Sequence, residues 1–142
     1  MTATTRQTGL AEALMGLSHL VARVFAEVSR GRDLTPQQAQ LLCTLIEGPI
    51  GMTELGRLLH LEKSSLTGLV DRVERRGLVV RSSDPSDRRA SRVALTGQGA
   101  RLAAESHEDV TARLEALAGE LGPADRKRLE SAIAMMLDRV VA

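Results

Sequence analysis

The chain has 142 residues, 43% hydrophobic and 26% charged, with a formal net charge of +1; that is a globular composition long enough to bury one core, not a disordered polyelectrolyte. Phe25 is the only aromatic residue, which weighs against a base-stacking platform for single strands, and Cys43 is the only cysteine, which excludes an intramolecular disulfide framework and a multi-cysteine zinc site. Taken whole, the charge points to no polyanionic partner, and no apolar run reaches the ~20 residues that span a bilayer.

In chain order, Leu10, Leu14, Leu17, Val21, Val24 and Val28 recur at spacings of three and four, predicting an amphipathic helix from about Leu10 to Arg30. Gly31-Arg32-Asp33 breaks it. Thr35-Pro36-Gln37-Gln38 is a helix start, with Thr as N-cap, Pro in the first turn and Gln at the third position. Ala39, Leu42, Cys43 and Ile46 form its expected apolar face, and Gly48-Pro49-Ile50-Gly51 stops it. A short helix follows, with Thr53 as its expected cap, and runs to Leu59. After the tight connection His60-Leu61-Glu62, a second helix spans about Lys63 to Arg76, carries Leu66, Leu69, Val70 and Val73, and ends at Gly77. Two short helices joined in this way form a helix-turn-helix.

Leu78-Val79-Val80-Arg81 reads as a strand, Ser82 to Asp87 as a turn, and Val93 and Leu95 as parts of the return strand. Thr96 then caps a long helix carrying Leu102, Val110, Leu114 and Leu117. Gly119 and Gly122-Pro123 break it before a last helix with Leu129, Ile133, Met136, Leu137 and Val140. The fold class is therefore mainly α with a small β-hairpin wing. Residues 34–99 are read as a winged helix-turn-helix region, and residues 8–32 and 100–142 as dimerisation helices of one protomer spanning 1–142. The terminal helices are too long and too apolar for a small central domain to cover, so a C2 dimer is expected. Met52, Met135 and Met136 are read as gap fillers in the core.

The charge is unevenly placed. Thr53 to Arg101 holds ten basic and six acidic residues, a local +4; the remainder holds nine basic and twelve acidic, hence −3. The positive part coincides with the helix-turn-helix and hairpin, the footprint expected of a duplex-DNA binder. All but two of the basic residues, Lys63 and Lys127, are arginine, the better bidentate ligand for phosphate and guanine.

At 100° per residue, the face opposite Leu66, Leu69, Val70 and Val73 carries Ser64, Gly68, Asp71 and Arg75. Ser65 and Arg72 lie on one shoulder and Thr67 on the other, with Lys63 at the start. The first half of this face is small and polar, which admits it to a major groove and lets Ser, Thr and Arg72 reach base edges. Asp87-Arg88-Arg89 puts cations at the hairpin, where an arginine could enter a narrow minor groove. A solvated helix face or a solvated turn would explain either part alone. The helix, wing and local charge together are much more specific.

The run from Leu61 through Val79, then Asp84-Pro85-Ser86-Asp87-Arg88-Arg89 and Val93-Ala94-Leu95-Thr96-Gly97-Gln98-Gly99, resembles the multiple-antibiotic-resistance regulator (MarR) family of winged-helix transcription factors. The resemblance covers about Leu34 to Gly99. It implies a homodimer with interdigitated terminal helices, binding an inverted-repeat operator, and a repressor of which many relatives release DNA on meeting a small phenolic or lipophilic molecule. By matching position, Asp71 and Arg89 are expected to join recognition helix to wing, and Arg88 or Arg89 to be the minor-groove arginine. Redox-sensing relatives use a cysteine near the start of the first helix with supporting tyrosines. This chain has neither there, so Cys43 is read as a small buried hydrophobe.

His19, His60 and His107 show no metal-ligand spacing, and neither a metal nor a cofactor is expected. His19 and Arg23, one turn apart, could meet an anionic effector in a cleft, although interface or surface residues of this kind are common. The N-terminal Met1 to Arg6 lacks an apolar signal core, which reads as cytoplasmic. Two other classes remain open: a nonspecific or protein-binding winged module, and a thiol-based redox protein using Cys43. The latter lacks a visible base for its nucleophile, so no enzyme is expected.

Overall fold

A helix opens the fold, as its spacing requires: α1 runs from Leu10 to Gly31 and buries Val24, Val28 and Ser29. The computed structural model describes residues 9–141, leaving aside the side chains of Arg88 and Val141. Met1 to Arg6, and residues 8 and 142 of the expected dimerisation segments, lie outside the described residues.

Helix α2, Pro36–Thr44, starts on a full capping box. Thr35 Oγ1 accepts the Gln38 backbone N–H at 3.1 Å, and the Thr35 N–H donates to Gln38 Oε1 at 3.2 Å. Its buried face is Ala39, Leu41 and Leu42, with Leu45 just beyond. The expected face is corrected at two positions: Ile46 is 45% exposed and Cys43 is half-buried. The helix stops at Thr44, so the turn after it carries Ile46 out of phase and brings Leu45 inward.

Where the sequence suggested only a stop, Ile50–Gly51 forms strand β1 and leads directly into α3, Met52–Leu59. Gly51 therefore occupies the N-cap position and Thr53 lies inside the helix, which corrects the expected cap. His60 ends α3 in the left-handed region, at φ 54°. Helix α4, Lys63–Arg75, buries Leu66, Leu69, Val70 and Val73.

Strands β2, Val79–Asp84, and β3, Asp87–Leu95, run longer than expected and leave only Pro85 and Ser86 in the turn. The Asp84 carboxylate holds that turn by accepting from the Ser86 N–H at 2.9 Å and Oγ at 2.7 Å. These bonds lower its pKa. The antiparallel sheet has the order β1-β3-β2, pairing Ile50 with Val93 and Arg81 with Val93 from the other side.

Thr96 then caps α5, Gly97–Leu117, as the sequence indicates. Its hydroxyl accepts the Gly99 N–H at 3.1 Å and donates to the Gly77 carbonyl at 2.6 Å. At Gly99 a β-carbon would fall 1.9 Å from the Leu78 carbonyl oxygen, so only glycine lets helix and hairpin approach this closely.

Tertiary contacts divide the chain into two units, 1–110 and 111–142. The first has a continuous core from Leu34 to Ala103, with Phe25, Ile50, Met52, Leu61, Leu95 and Leu102 packed partly buried against it. The second contains the end of α5 and helix α6, Pro123–Val141, where Arg126 bridges to Glu115. None of residues 111–140 is buried. Met135 and Met136 are 71% and 45% exposed, so they do not fill a protomer core as expected. No helix among the described residues is long and apolar enough to cross a membrane.

Candidate nucleic-acid interface

The α3–α4 corner is tight because the Leu61 N–H returns to the Gly56 carbonyl at 2.9 Å. A β-carbon at Gly56 would come within 3.2 Å of the Leu61 carbonyl, which favours a small residue at this crossing. With α4's apolar stripe buried beneath it, Lys63, Ser64, Ser65, Arg72 and Arg75 are exposed, and Thr67, Gly68 and Asp71 are half-buried. The Thr67 hydroxyl donates back to the Lys63 carbonyl at 2.8 Å, leaving its oxygen lone pairs for another donor. Arg72 Nη1 lies 3.4 Å from the position a Gly68 side chain would take, so the guanidinium passes along the bare backbone of the preceding turn.

Recognition helix and hairpin are joined by ion pairs, although the partner differs from the expected one. Asp71 is bridged by Arg81 rather than by Arg89. Arg81 Nε also lies 3.6 Å from Glu74 Oε1, and its backbone N–H donates to Glu74 Oε2 at 3.2 Å. The reason is register. Arg81 pairs with Val93, whereas Arg89 stands four residues earlier in β3, toward the hairpin tip, about 13 Å at strand rise. Arg89 is exposed near the tip, and its N–H donates to Asp87 Oδ1 at 2.9 Å. The side chain of Arg88 lies outside the described residues. In the sequence Arg81 is a strand residue of the basic segment; its place beside Asp71 depends on pairing that spacing does not reveal.

Arg76 and Arg32 also make contacts that no sequence motif marks. Arg76 Nη1 donates to the Asp33 carbonyl at 2.6 Å and to Gln38 Oε1 at 3.2 Å. Arg32 bridges Glu105 at 2.8 Å and Asp109 on α5, and these carboxylates raise its pKa, with the Asp109 hydrogen bond contributing most. His19 and Arg23 are exposed on α1. A groove of about 820 Å³ lies elsewhere, between α3, the start of α4 and the hairpin, with Met52, Thr53, His60, Thr67, Arg81 and Ser91 in its walls. Among the described residues, no three His, Cys, Asp or Glu side chains gather as a metal-ligand set. Burial raises the pKa of Cys43.

A helix-turn-helix with an exposed second helix, backed by a three-stranded sheet and a long hairpin, defines a winged-helix DNA-binding protein. A model described as the MarR family matches residues 32–90. The HTH-type transcriptional regulator FarR of Neisseria gonorrhoeae is 32% identical over 99 residues, which cover 69% of this chain and 68% of FarR. The chain belongs to the MarR family of transcriptional regulators. The apo crystal structure of E. coli MarR matches with a TM-score of 0.81 at 26% identity, covering 94% of this chain and 99% of that one. A cysteine-to-serine mutant of the same protein, complexed with operator DNA, matches at 0.72 with 27% identity, 90% and 93% covered. NadR, solved with 4-hydroxyphenylacetate, matches at 0.73 with 26% identity, 96% and 97% covered.

Proposed function

We propose that this chain is a homodimeric repressor that binds an inverted-repeat operator and leaves it when a small effector binds. The observation that carries this reading is the exposed face of α4, small and polar at its start and arginine-rich later, braced by Arg81 against a cationic hairpin. In this reading Ser64, Ser65, Thr67, Gly68 and Arg72 meet base edges in the major groove. Lys63 and Arg75 meet phosphates, and Arg88 or Arg89 enters the adjacent minor groove. Residues 34–99 form the DNA-binding region, and the flanking segments 8–32 and 100–142 form the dimer. The last claim is supported by apolar side chains left in solvent on the terminal helices: Leu10 at 72%, Met15 at 61%, Leu137 at 59% and Val140 at 83%. Each of these helices leaves large apolar side chains in solvent, which a lone protomer rarely does.

Two protomers would bring about +8 to the duplex from their Thr53–Arg101 segments. The decisive experiment is selection of bound genomic duplex, followed by titration of the selected site against random duplex at fixed salt. A site with half-sites about 10 bp apart and at least a thousandfold preference supports the proposal. A ratio near one rejects it in favour of a nonspecific module. Sedimentation should give a dimer at micromolar concentration.

The effector is proposed to be a small phenolic or lipophilic molecule, as the likeness to NadR suggests. The groove between α3, α4 and the hairpin is the better-formed place for it, because its walls combine Met52 and Leu66 with Arg81 and His60. His19 and Arg23 stand as the alternative anion contacts.

A further inference from the structure

Gly31 to Leu34 is a corner at which four helices are tied. Arg32 reaches two carboxylates one turn apart on α5, Glu105 and Asp109. The next residue, Asp33, is held at φ 55°, a conformation non-glycine residues rarely adopt. Its carbonyl accepts from Arg76, the residue that closes the recognition helix, at 2.6 Å. The same Arg76 Nη1 bonds Gln38, which belongs to the capping box of α2. Leu34 follows, buried, with its N–H on the Ser29 carbonyl at 2.9 Å. A continuous set of contacts thus runs from the α5 carboxylates through Arg32 and the Asp33 carbonyl to the C-terminus of α4.

Arg32 is only 25% exposed, while Glu105 and Asp109 are 56% and 52% exposed. Pairs this open to water add little to folding stability. Their directionality matters more. A guanidinium forked between two carboxylates admits few orientations, and a left-handed Asp33 persists only where the surroundings over-determine it.

We propose that Arg32, Glu105, Asp109 and Arg76 are positioning residues that fix the angle of the recognition helix against α1 and α5, and so set the half-site spacing the dimer accepts. The proposal rests on the dimeric operator-binding reading given above. One base pair of spacer moves a half-site by about 3.4 Å and turns it by about 35°, so a rigid dimer should discriminate sharply and a loosened one should not.

The test uses full-length protein and duplexes carrying the selected inverted repeat with its spacer at the selected length and changed by one or two base pairs, at fixed salt. For the unaltered protein, each one-base-pair change should weaken binding at least about tenfold. Arg32→Ala and Arg76→Ala should flatten this dependence to about threefold or less, with melting temperature lowered by only a few degrees. Arg32→Lys, which keeps the charge but not the fork, should fall between. If Arg32→Ala does not fold, the pair Glu105→Ala and Asp109→Ala removes the same contacts at exposed positions. Variants that keep full spacing discrimination overturn the proposal, as does an unaltered protein that prefers the selected repeat but is indifferent to its spacer. An unaltered protein with no preference for the selected repeat overturns the dimeric operator reading itself.

Discussion

From Leu34 to Ala103 the chain buries nearly every large aliphatic side chain that helical or strand periodicity turns inward, in one continuous core. From Thr111 onward the helices are equally regular, yet no residue through Val140 is buried. Both regions have apolar stripes, so helix formation does not separate them. What separates them is whether the stripe finds a surface within its own protomer. Since most helical stability in water comes from packing an apolar face, the first region carries its own fold, while the second leaves its apolar stripe in solvent, and the proposed dimer is what would cover it. The charge does not follow this division: the positive segment around the recognition helix and hairpin is offset by Glu105, Glu108 and Asp109 on α5, and residues 111–142 carry as many acidic as basic side chains.

The largest effect should come from the closest backbone approach in the packed region. Gly99→Ala places a methyl where the Leu78 carbonyl stands, so helix α5 or the hairpin must move. A loss of about 3 kcal/mol or more is expected in chemical denaturation; a loss under 1 kcal/mol would mean the two elements are not held as described. Next comes the direct comparison of the regions. Leu55→Ala, at a fully buried site, should cost about 2–5 kcal/mol. Leu137→Glu, at a site 59% exposed in the protomer, should instead shift the proposed dimer toward monomer, so that its loss of unfolding midpoint relative to the unaltered chain varies with protein concentration. If both variants lower the midpoint equally at every concentration, the distinction between the regions fails.

Most of this division is legible in the residues themselves. The α4 stripe, the Gly77 stop, the Thr35 capping box and the Thr96 cap are local patterns, and local patterns depend on neighbours in sequence. What escaped depended on distant partners. β1 is two residues long and exists only because Ile50 and Gly51 pair with Val93 and Arg92. Helical phase points Ile46 inward only if α2 continues past Thr44, where the chain in fact turns. The family pattern implies Arg89 as the partner of Asp71, whereas strand register places Arg81 there. Arg32 and Arg76 carry no motif at all; their importance lies in carbonyl and carboxylate groups up to 77 residues away.

Two smaller effects sharpen the comparison inside the packed region. Thr35→Ala removes the capping box and should cost about 1 kcal/mol, measured by thermal or denaturant unfolding; no loss would show that α2 is held by its buried face alone. Arg81→Ala breaks a half-exposed pair, so stability should change by less than about 1 kcal/mol. Operator affinity should nevertheless fall by about tenfold, because the hairpin is no longer braced against the recognition helix. Loss of stability without loss of affinity would assign Arg81 to the fold rather than to the interface.

The smallest effect concerns Cys43, which lies on α2 between the two kinds of surroundings, half-buried in the packed region. Burial disfavours its thiolate and raises its pKa, the opposite of what a reactive thiol requires. Alkylation by iodoacetamide at neutral pH should therefore be slower in the native protein than in the same chain unfolded, and should accelerate only as pH rises beyond the range where an ordinary thiol ionises. The unfolded chain loses its thiol proton first, so this group lowers stability as pH rises through the range where an ordinary thiol ionises and has no effect below it. Cys43→Ser should leave operator binding unchanged, before and after peroxide treatment, in a gel-shift titration. Peroxide-dependent release that Cys43→Ser abolishes would make this thiol a sensor and move α2 from scaffold to switch.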